Sequence, residues 1–312
     1  MKIIYLCPAI DIPIGGIKVI YKHVDILNQI GYDAYVYHDV NMFRCTWFRN
    51  TTRIVYYLDI NDHDIIVVPE TMAHLIFRFK CKKIIFNQNV YNTFQENNSS
   101  REQVGVDPYR IKDLFAVMVV SEDNYAVIKE KYPEMQIYIV RNCIDKQIFS
   151  YDERKVNQIC YMSRKNKKHI EFITNMLNPE LLVGWKFVDI DGCNENETAQ
   201  IMKESKIFLS VSDKEGFGLP AAEALATGCM VVGYNGKGGK EYFDRCCITI
   251  DYGNIELFVK EIENIVHNIN CDANCYKEVC KKNSVYILGT YSGSEQMEDL
   301  RTVIGEGLCE QL

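Results

Sequence analysis

One stretch of the chain, residues 206–233, constrains the fold most, because strand and helix patterns alternate within it. The apolar run from Lys206 to Val211 predicts a buried strand, and Met230 to Gly233 predicts a second one. Between them, residues 221–226 are strong helix formers, and Gly228 ends that helix. The pattern therefore predicts strand, loop, helix and strand, which is the repeating unit of a parallel α/β fold.

The loop in this stretch has the features of a site for a ligand that carries both phosphate and hydroxyl groups. Gly216 and Gly218 let backbone N–H groups approach a ligand, and Pro220 suits the first turn of the helix that follows. The N-terminus of a helix favours an anion. Glu215 precedes the helix, and Glu223 is expected in its first turn. Two carboxylates repel a bare phosphate but accept hydrogen bonds from hydroxyls, so the loop predicts a nucleotide-sugar ligand.

The same residues resemble the motif of glycosyltransferase family 4. Glu215 and Glu223 are separated by seven residues, Gly-Phe-Gly-Leu-Pro lies between them, and Gly-Gly-x-Glu closes the motif from Gly238 to Glu241. The alternative is a capped helix in an ordinary α/β domain, with Glu223 serving the helix dipole. The resemblance implies an α/β protein of the GT-B fold, with two Rossmann-like domains facing across a cleft.

Length and composition agree with two soluble domains. The chain has 312 residues and a net charge of −7, with no basic concentration that would indicate nucleic acid as a partner. No stretch approaches the length of a membrane span, and Pro8 and Asp11 interrupt the first apolar run, which argues against a signal peptide. Thirteen cysteines without such a peptide favour reduced thiols. We expect a cytoplasmic protein, either free or at the cytosolic face of a membrane.

The start of the chain predicts a strand, a loop and a helix opened by Gly15 and Gly16. A dinucleotide-binding dehydrogenase would have Gly-x-Gly-x-x-Gly here, whereas this chain has Ile-Gly-Gly-Ile. The latter resembles the first loop of family 4 enzymes, which faces the donor phosphate and the acceptor. The alternative is a plain tight turn.

Further along the first domain, polar residues follow two predicted strands, 65–68 and 84–86. Because ligands in open α/β sheets bind beyond the carboxyl ends of the strands, these residues are candidates for acceptor contact. They are Glu70, Asn87, Asn89 and Tyr91. Residues 92–107 are polar and lack a periodic pattern, so they predict a mobile loop.

The segment 41–53 combines aromatic and basic residues, and two interpretations stay open. It contacts a membrane surface or an acceptor, or it forms a helix whose aromatic face packs inward.

Residues 141–145, Arg-Asn-Cys-Ile-Asp, resemble the hinge of family 4 enzymes, with cysteine in place of the usual glycine. We therefore expect an acceptor domain at 1–150 and a nucleotide-sugar donor domain at 151–289. In the GT-B fold a terminal helix, here at about 290–312, crosses back to the first domain.

A basic cluster enters the first helix of the second domain at residues 164–168. Such a cluster is usually a solvated helix start, but positive charge at a helix N-terminus is mildly unfavourable, which indicates an anionic ligand. The family places an arginine and a lysine here on the donor diphosphate. Arg164 matches the arginine, and both Lys165 and Lys168 lie near the spacing of the lysine. We favour Lys168, because it can share a helix face with Arg164.

The resemblance to family 4, together with these patterns, implies a retaining hexosyl- or deoxyhexosyltransferase. It moves a sugar from a nucleoside-diphosphate sugar to a glycan, lipid-linked or protein acceptor. The expected catalytic residues are Arg164, Lys168 and Glu215. The expected donor-binding residues are Gly15, Gly16, Lys165, Gly216, Phe217, Gly218, Leu219 and Glu223.

No metal and no cofactor beyond the co-substrate are expected, because fixed positive charge can neutralise the leaving diphosphate. Two alternatives stay open: a nucleotide-sugar epimerase of the same fold, and a non-catalytic nucleotide-sugar-binding protein. The sequence leaves the oligomeric state open.

Overall fold

The computed structural model describes residues 1–94 and 106–309 and divides into two α/β units. Unit 1 comprises Met1–Asn142 and Ser294–Leu312, and unit 2 comprises Cys143–Gly293. The division falls between Asn142 and Cys143, earlier in the chain than the expected boundary near Ser150. Within the described residues, none of the helices is long and apolar enough to cross a membrane.

The described part of unit 1 is built on a parallel sheet of order β3-β2-β1-β4-β5-β6-β7. Its strands are β1 (Lys2–Leu6), β2 (Asp33–Tyr37), β3 (Ile54–Val55), β4 (Ile65–Pro69), β5 (Lys82–Asn87), β6 (Leu114–Val119) and β7 (Ile137–Ile139). Its helices are α1 (Gly15–Gln29), α2 (Val90–Thr93), α3 (Glu122–Lys131) and the last helix of the chain. The central strand β4 is buried along its whole length, as expected for an apolar run covered on both faces.

The described part of unit 2 has a parallel sheet of order β12-β11-β10-β8-β9. Its strands are β8 (Val156–Tyr161), β9 (Lys186–Asp189), β10 (Ser205–Ser210), β11 (Met230–Gly233) and β12 (Ile248–Thr249). Its helices are α4 (Lys167–Met176), α5 (Glu195–Glu204), α6 (Leu219–Ala226), α7 (Lys240–Cys246), α8 (Ile255–Cys271) and α9 (Ala273–Thr290). The last helix of the chain is α10 (Gly293–Cys309).

The strand, loop, helix and strand predicted for residues 206–233 are confirmed as β10, α6 and β11. The strand orders also show where a ligand can bind. In each sheet the direction of the crossovers reverses once, between β1 and β4 in unit 1 and between β8 and β10 in unit 2. A crevice opens at the carboxyl ends of the strands at such a switch point. The loops after β8 and β10 are therefore the first place to look for a site in unit 2.

Helix α10 is tied to the end of unit 1's first segment by Arg141. The Arg141 guanidinium donates to the Asp299 carboxylate at 2.8 and 2.6 Å and pairs with Glu295 at 2.5 Å. The backbone N–H of Ile144 instead donates to the Tyr291 carbonyl, within unit 2. The chain is thus bonded to α10 of unit 1 just before Asn142 and to Tyr291 of unit 2 just after it, which agrees with a division at this point.

Two segments of unit 1 outside its sheet, residues 41–53 and 92–107, were also the subject of predictions. No helix forms at residues 41–53, yet Phe43 and Phe48 pack inward against His38 and Tyr21, with ring centroids 4.8 and 5.3 Å apart. The expected helix is therefore wrong, although the inward packing is confirmed. Contact of this segment with a membrane or an acceptor stays a prediction. Most of the expected mobile loop, residues 95–105, lies outside the described residues.

Candidate functional site

A pocket lies in unit 2 at the carboxyl ends of β8, β10 and β11. Its lining includes Lys165 after β8, Glu215 and Gly218 after β10, and Asn235 and Gly236 after β11. The pocket thus occupies the switch point between β8 and β10, and three neighbouring strands each contribute a loop to it.

Lys165 and Glu215 form an ion pair in this pocket, with Nζ 2.5 Å from Oε1. The Lys165 side chain is 27% exposed and the Glu215 side chain is 18% exposed, so a ligand can reach both charged groups. The pair brings an ammonium, which binds phosphate, next to a carboxylate, which accepts bonds from hydroxyls.

The backbone of Glu215 is fixed by the loop after β11. Its N–H donates to the Gly236 carbonyl at 2.7 Å, and its carbonyl accepts from the Gly238 N–H at 3.2 Å. A Cβ on Gly236 would lie 3.1 Å from the Cβ and Cγ of Glu215, so this loop packs closely against one side of the Glu215 side chain. The Glu215 side chain is therefore aimed by the fold before any ligand arrives.

Gly218 sets the approach of the chain to α6. Its backbone is left-handed, with φ 87° and ψ 50°, a conformation that glycine adopts without strain. The Tyr242 hydroxyl donates to the Gly218 carbonyl at 2.7 Å and lies 3.1 Å from the Phe217 carbonyl. Burial raises the pKa of Tyr242 well above its ordinary value, so the hydroxyl stays a donor at neutral pH.

We expect Gly218→Ala to lower the free energy of unfolding by about 2–4 kcal/mol. A Cβ there would lie 2.8 Å from the Tyr242 Oη, and the fully buried ring packs against Phe217 and cannot withdraw freely. Gly253→Ala is the matched control, because Gly253 has φ +86° but nothing within 4 Å of its Cβ position. Urea unfolding of the two variants should differ by the cost of the Tyr242 contact, and equal losses would contradict this role.

Two of the expected donor-binding residues lie deeper in the structure than the sequence indicated. The Phe217 ring is buried and packs against Tyr242 and Tyr291, at centroid distances of 5.3 and 4.9 Å. Its side chain anchors the loop, and only its backbone can face a ligand. Glu223 is buried and lies beyond the first turn of α6, because the helix begins at Leu219. The expectation that Glu223 belongs to the first turn is wrong.

The basic cluster is not one helix face. Arg164 and Lys165 belong to a 3-10 turn, Ser163–Lys165, and Asn166 then caps α4 by accepting from the His169 N–H at 3.3 Å. Lys168 lies exposed in α4, on the other side of this break. The premise that Arg164 and Lys168 share a helix face is wrong, and the lysine that reaches the pocket is Lys165.

In unit 1, the switch point between β1 and β4 also carries polar groups. The Glu70 carboxylate accepts from the Gln88 N–H at 3.1 Å, and the Gln88 side-chain amide donates to the Gly16 carbonyl at 3.1 Å. A Cβ on Gly16 would lie 3.2 Å from that amide, which explains glycine at the start of α1. Gln88 was missed as a functional candidate, although it stands between two asparagines that were singled out.

The other acceptor candidates have local partners. The Asn87 side chain is fully buried and donates to Thr93 at 2.8 Å and Tyr109 at 2.7 Å, so it supports the interior of unit 1 rather than facing an acceptor. Asn89 caps α2 through the Tyr91 N–H. The Tyr91 hydroxyl donates to Asp123 at 2.8 Å. Contact of Asn89 and Tyr91 with an acceptor stays a prediction.

Burial raises the pKa of Glu70 to about 7, against the opposing effect of backbone donors from Gln88 and Asn89. The folded protein therefore keeps this proton up to about pH 7, whereas the unfolded chain releases it near the ordinary value of 4.5. The contribution of Glu70 to the free energy of unfolding is fully present below pH 4.5, and it is lost as the pH rises through about 7.

Glu70→Gln should remove the loss of stability that the titration of Glu70 causes as the pH rises. The free energy of unfolding of the variant, relative to wild type, should rise by about 1–3 kcal/mol between pH 5 and pH 8. Urea unfolding at the two pH values measures this difference. Glu130→Gln, on the exposed side of α3, is the control. Parallel pH profiles of Glu70→Gln and wild type would show that Glu70 does not titrate in this range.

Among the residues that the structure describes, no group of three or more histidine, cysteine or acidic side chains could hold a metal ion. The Asp189-Ile190-Asp191 sequence has the spacing of a metal-binding pair in another transferase fold. In this chain the Asp189 carboxylate accepts from the Ser163 N–H at 3.0 Å and so supports the turn that carries Lys165.

Comparison with known proteins adds to this geometry. Residues 186–282 match the family model of the glycosyl transferases group 1. This segment contains Glu215 and Gly218 in the loop after β10, and Glu223 in α6. Among curated proteins, an alpha-1,6-glucosyltransferase from Actinobacillus pleuropneumoniae is 26% identical over 194 residues, 57% of this chain. The chain spans about half the length of that relative, 55%.

Solved structures establish the fold over nearly the whole chain. Sucrose-phosphate synthase from Thermosynechococcus elongatus superposes with a TM-score of 0.73 and 11% identity, covering 99% of each chain. Anabaena HepE in complex with UDP-glucose superposes with a TM-score of 0.71 and 12% identity, covering 98% of this chain and 100% of that one. The chain therefore has the GT-B fold, with two Rossmann-like α/β domains built on parallel sheets.

Proposed function

We propose that this chain is a glycosyltransferase that moves a hexosyl or deoxyhexosyl group from a nucleoside-diphosphate sugar to a glycan, lipid-linked or protein acceptor. We further propose that it retains the configuration of the anomeric carbon. Unit 2 binds the donor, and unit 1 supplies the residues that contact the acceptor.

The observation that carries this proposal is the ion pair of Lys165 and Glu215 at the switch point of unit 2, beside the start of α6. A diphosphate needs positive charge and N–H donors, and a sugar needs hydroxyl acceptors, and this pocket offers both within one ligand's reach. The relatives support the same ligand. HepE has been solved with UDP-glucose, TarM of S. aureus with UDP, and the curated relative is a glucosyltransferase.

Catalysis in this proposal relies on neutralising the leaving group. Negative charge grows on the nucleoside diphosphate as the glycosidic bond breaks, and fixed positive charge lowers that barrier. Arg164 and Lys165 supply the charge, and the amides from Gly216 to Leu219 add donors. We assign the lysine role to Lys165 rather than Lys168, because only Lys165 lines the pocket.

The remaining groups orient the substrates. Glu215 holds the hydroxyls of the transferred sugar, and Glu223 holds the ribose diol. The leaving phosphate takes the acceptor's proton on the same face of the sugar, which gives retention without a covalent intermediate. Glu70, with Asn89 and Tyr91, contacts the acceptor, and Gly15 and Gly16 face the donor phosphate.

A panel of nucleotide-sugars tests the proposal without knowledge of the acceptor. Wild-type protein should slowly hydrolyse one donor in the panel and release its nucleoside diphosphate. Glu171→Gln, at an exposed position on α4, should match wild type, whereas Glu215→Gln should lose the hydrolysis. Absence of hydrolysis and of binding for every donor would reject the proposal. Interconversion of two nucleotide-sugars would indicate an epimerase instead.

Activity should also persist in excess chelator, because Arg164 and a lysine carry the positive charge that a divalent cation supplies in other transferases. The rate of donor hydrolysis with and without chelator measures this. Complete loss of the rate, restored by manganese or magnesium, would contradict the mechanism.

A further inference from the structure

We infer that Lys165 is shared competitively between Glu215 and the diphosphate of the donor. When the diphosphate takes the ammonium, the Glu215 carboxylate is released for the sugar hydroxyls. This inference rests on the proposed function and adds a coupling between two parts of the same site.

The two partners differ in how firmly they are held. Glu215 is fixed through both of its backbone groups to Gly236 and Gly238, and Gly236 walls its stem. Lys165 ends a short 3-10 turn and has a flexible four-carbon stem with a rotatable ammonium. The ammonium is therefore the part that can change partners, whereas the carboxylate stays where the loop aims it.

The pair also lies where exchange is feasible. Both side chains are partly exposed in the pocket, so neither charge is locked in by burial. Their loops follow β8 and β10, the two strands at the switch point, and the pocket between them also includes Gly218 at the start of α6. A phosphate near the start of α6 competes with Glu215 for the Lys165 ammonium, and a phosphate is the stronger competitor because it carries more charge.

This competition has a consequence for selectivity. A free sugar meets a carboxylate that is already neutralised by Lys165, whereas the complete donor brings the phosphates that draw the ammonium away. Binding of the diphosphate and binding of the sugar are thereby coupled, and the site favours nucleotide-sugars over free sugars. The pair also offsets a carboxylate charge that would repel the incoming diphosphate.

Calorimetric titration of four proteins tests the exchange: wild type, Lys165→Met, Glu215→Gln and the double variant. The probes are UDP, GDP, ADP and dTDP, and the cycle is run with whichever binds wild type most tightly. Lys165→Met should weaken binding by about tenfold to a hundredfold, the cost of one charge-assisted bond. Glu215→Gln should tighten binding by about twofold to fivefold, because Lys165 no longer has a competing partner.

The double variant separates exchange from simple repulsion. Removing the Glu215 charge relieves repulsion whether or not Lys165 is present. Exchange adds a further gain only when Lys165 is present, so Glu215→Gln should tighten binding less in the Lys165→Met background. Arg301→Met and Glu298→Gln form the matched control cycle, because Arg301 and Glu298 pair at 3.6 Å at exposed positions of α10 in unit 1. That cycle should leave the affinity unchanged.

Two results would overturn the inference. Equal gains from Glu215→Gln in both backgrounds would show that Lys165 does not exchange, and weaker binding by Glu215→Gln would show that the pair binds the ligand as a unit. Both results differ from failure of the proposed function, in which wild type would bind none of the four nucleotides. Unfolding midpoints of all variants confirm that binding is compared between folded proteins.

Discussion

Arg164→Ala should lower kcat by about 10²–10³-fold with a smaller change in the donor KM. Arg164 lies in the exposed turn beside Lys165, next to the residues that line the pocket. In the proposed mechanism its guanidinium stabilises negative charge that grows only as the glycosidic bond breaks. A group that stabilises developing charge acts on the transition state more than on the bound substrate. Steady-state kinetics on the donor identified by the hydrolysis panel measures both constants.

Arg154→Ala is the matched control for charge and solubility. Arg154 pairs with Asp152 at 2.8 Å on the surface of unit 2 and its side chain is 89% exposed, so its loss should leave both constants unchanged. If Arg164→Ala raised KM with kcat intact, Arg164 would belong to substrate binding, and the assignment of leaving-group stabilisation would pass to Lys165.

Glu223→Gln should raise the donor KM by roughly tenfold to a hundredfold and change kcat much less. The ribose is the same in the substrate and the transition state, so a carboxylate that holds its diol contributes uniform binding. Glutamine has nearly the same shape, which matters because Glu223 is buried in α6. Glu215→Gln should lower kcat less than Arg164→Ala does but more than Glu223→Gln does. The Glu215 carboxylate holds the sugar ring, and the ring changes shape as the bond breaks.

The Glu223 assignment fails if the variant abolishes kcat while donor binding stays intact. A lower unfolding midpoint would instead point to a structural role for this buried carboxylate. Measuring the midpoint and the two kinetic constants on one preparation separates the three outcomes.

The sequence predicted the parts of the site that depend on local chemistry. A buried strand and a helix with proline in its first turn are encoded within a few residues, and β10 and α6 lie as expected. The left-handed backbone of Gly218 is a finding of the structure, and it was not predicted. The strand order then follows from the rules for parallel sheets, which bring the loops after β8 and β10 to one edge.

Contacts between distant parts of the chain could not be read from the sequence. Glu241 closes the recognised motif, and the structure pairs it with the Tyr291 hydroxyl at 2.7 Å, fifty residues away. The motif alone gave no sign of that partner. Similarly, Asn87 stood in a polar run at a strand end, but Thr93 and Tyr109 draw its side chain into the interior.

The choice between Lys165 and Lys168 turned on one residue. Helical periodicity favoured Lys168, because residues four apart share a helix face. Asn166 interrupts that periodicity with φ −164° and caps α4, so the 3-10 turn before it turns Lys165 into the pocket. Asparagine is among the strongest helix N-caps, and this signal was present in the sequence.

A structure of the complex with the donor that the panel identifies tests the central claim most directly. The account predicts the diphosphate at the start of α6, with Lys165 on a phosphate oxygen, Glu215 on the hydroxyls of the sugar and Glu223 on the ribose. Lys165 should then lie farther from Glu215 than the 2.5 Å that separates their charged atoms in the pair. A donor bound away from the β8 and β10 loops would contradict the account.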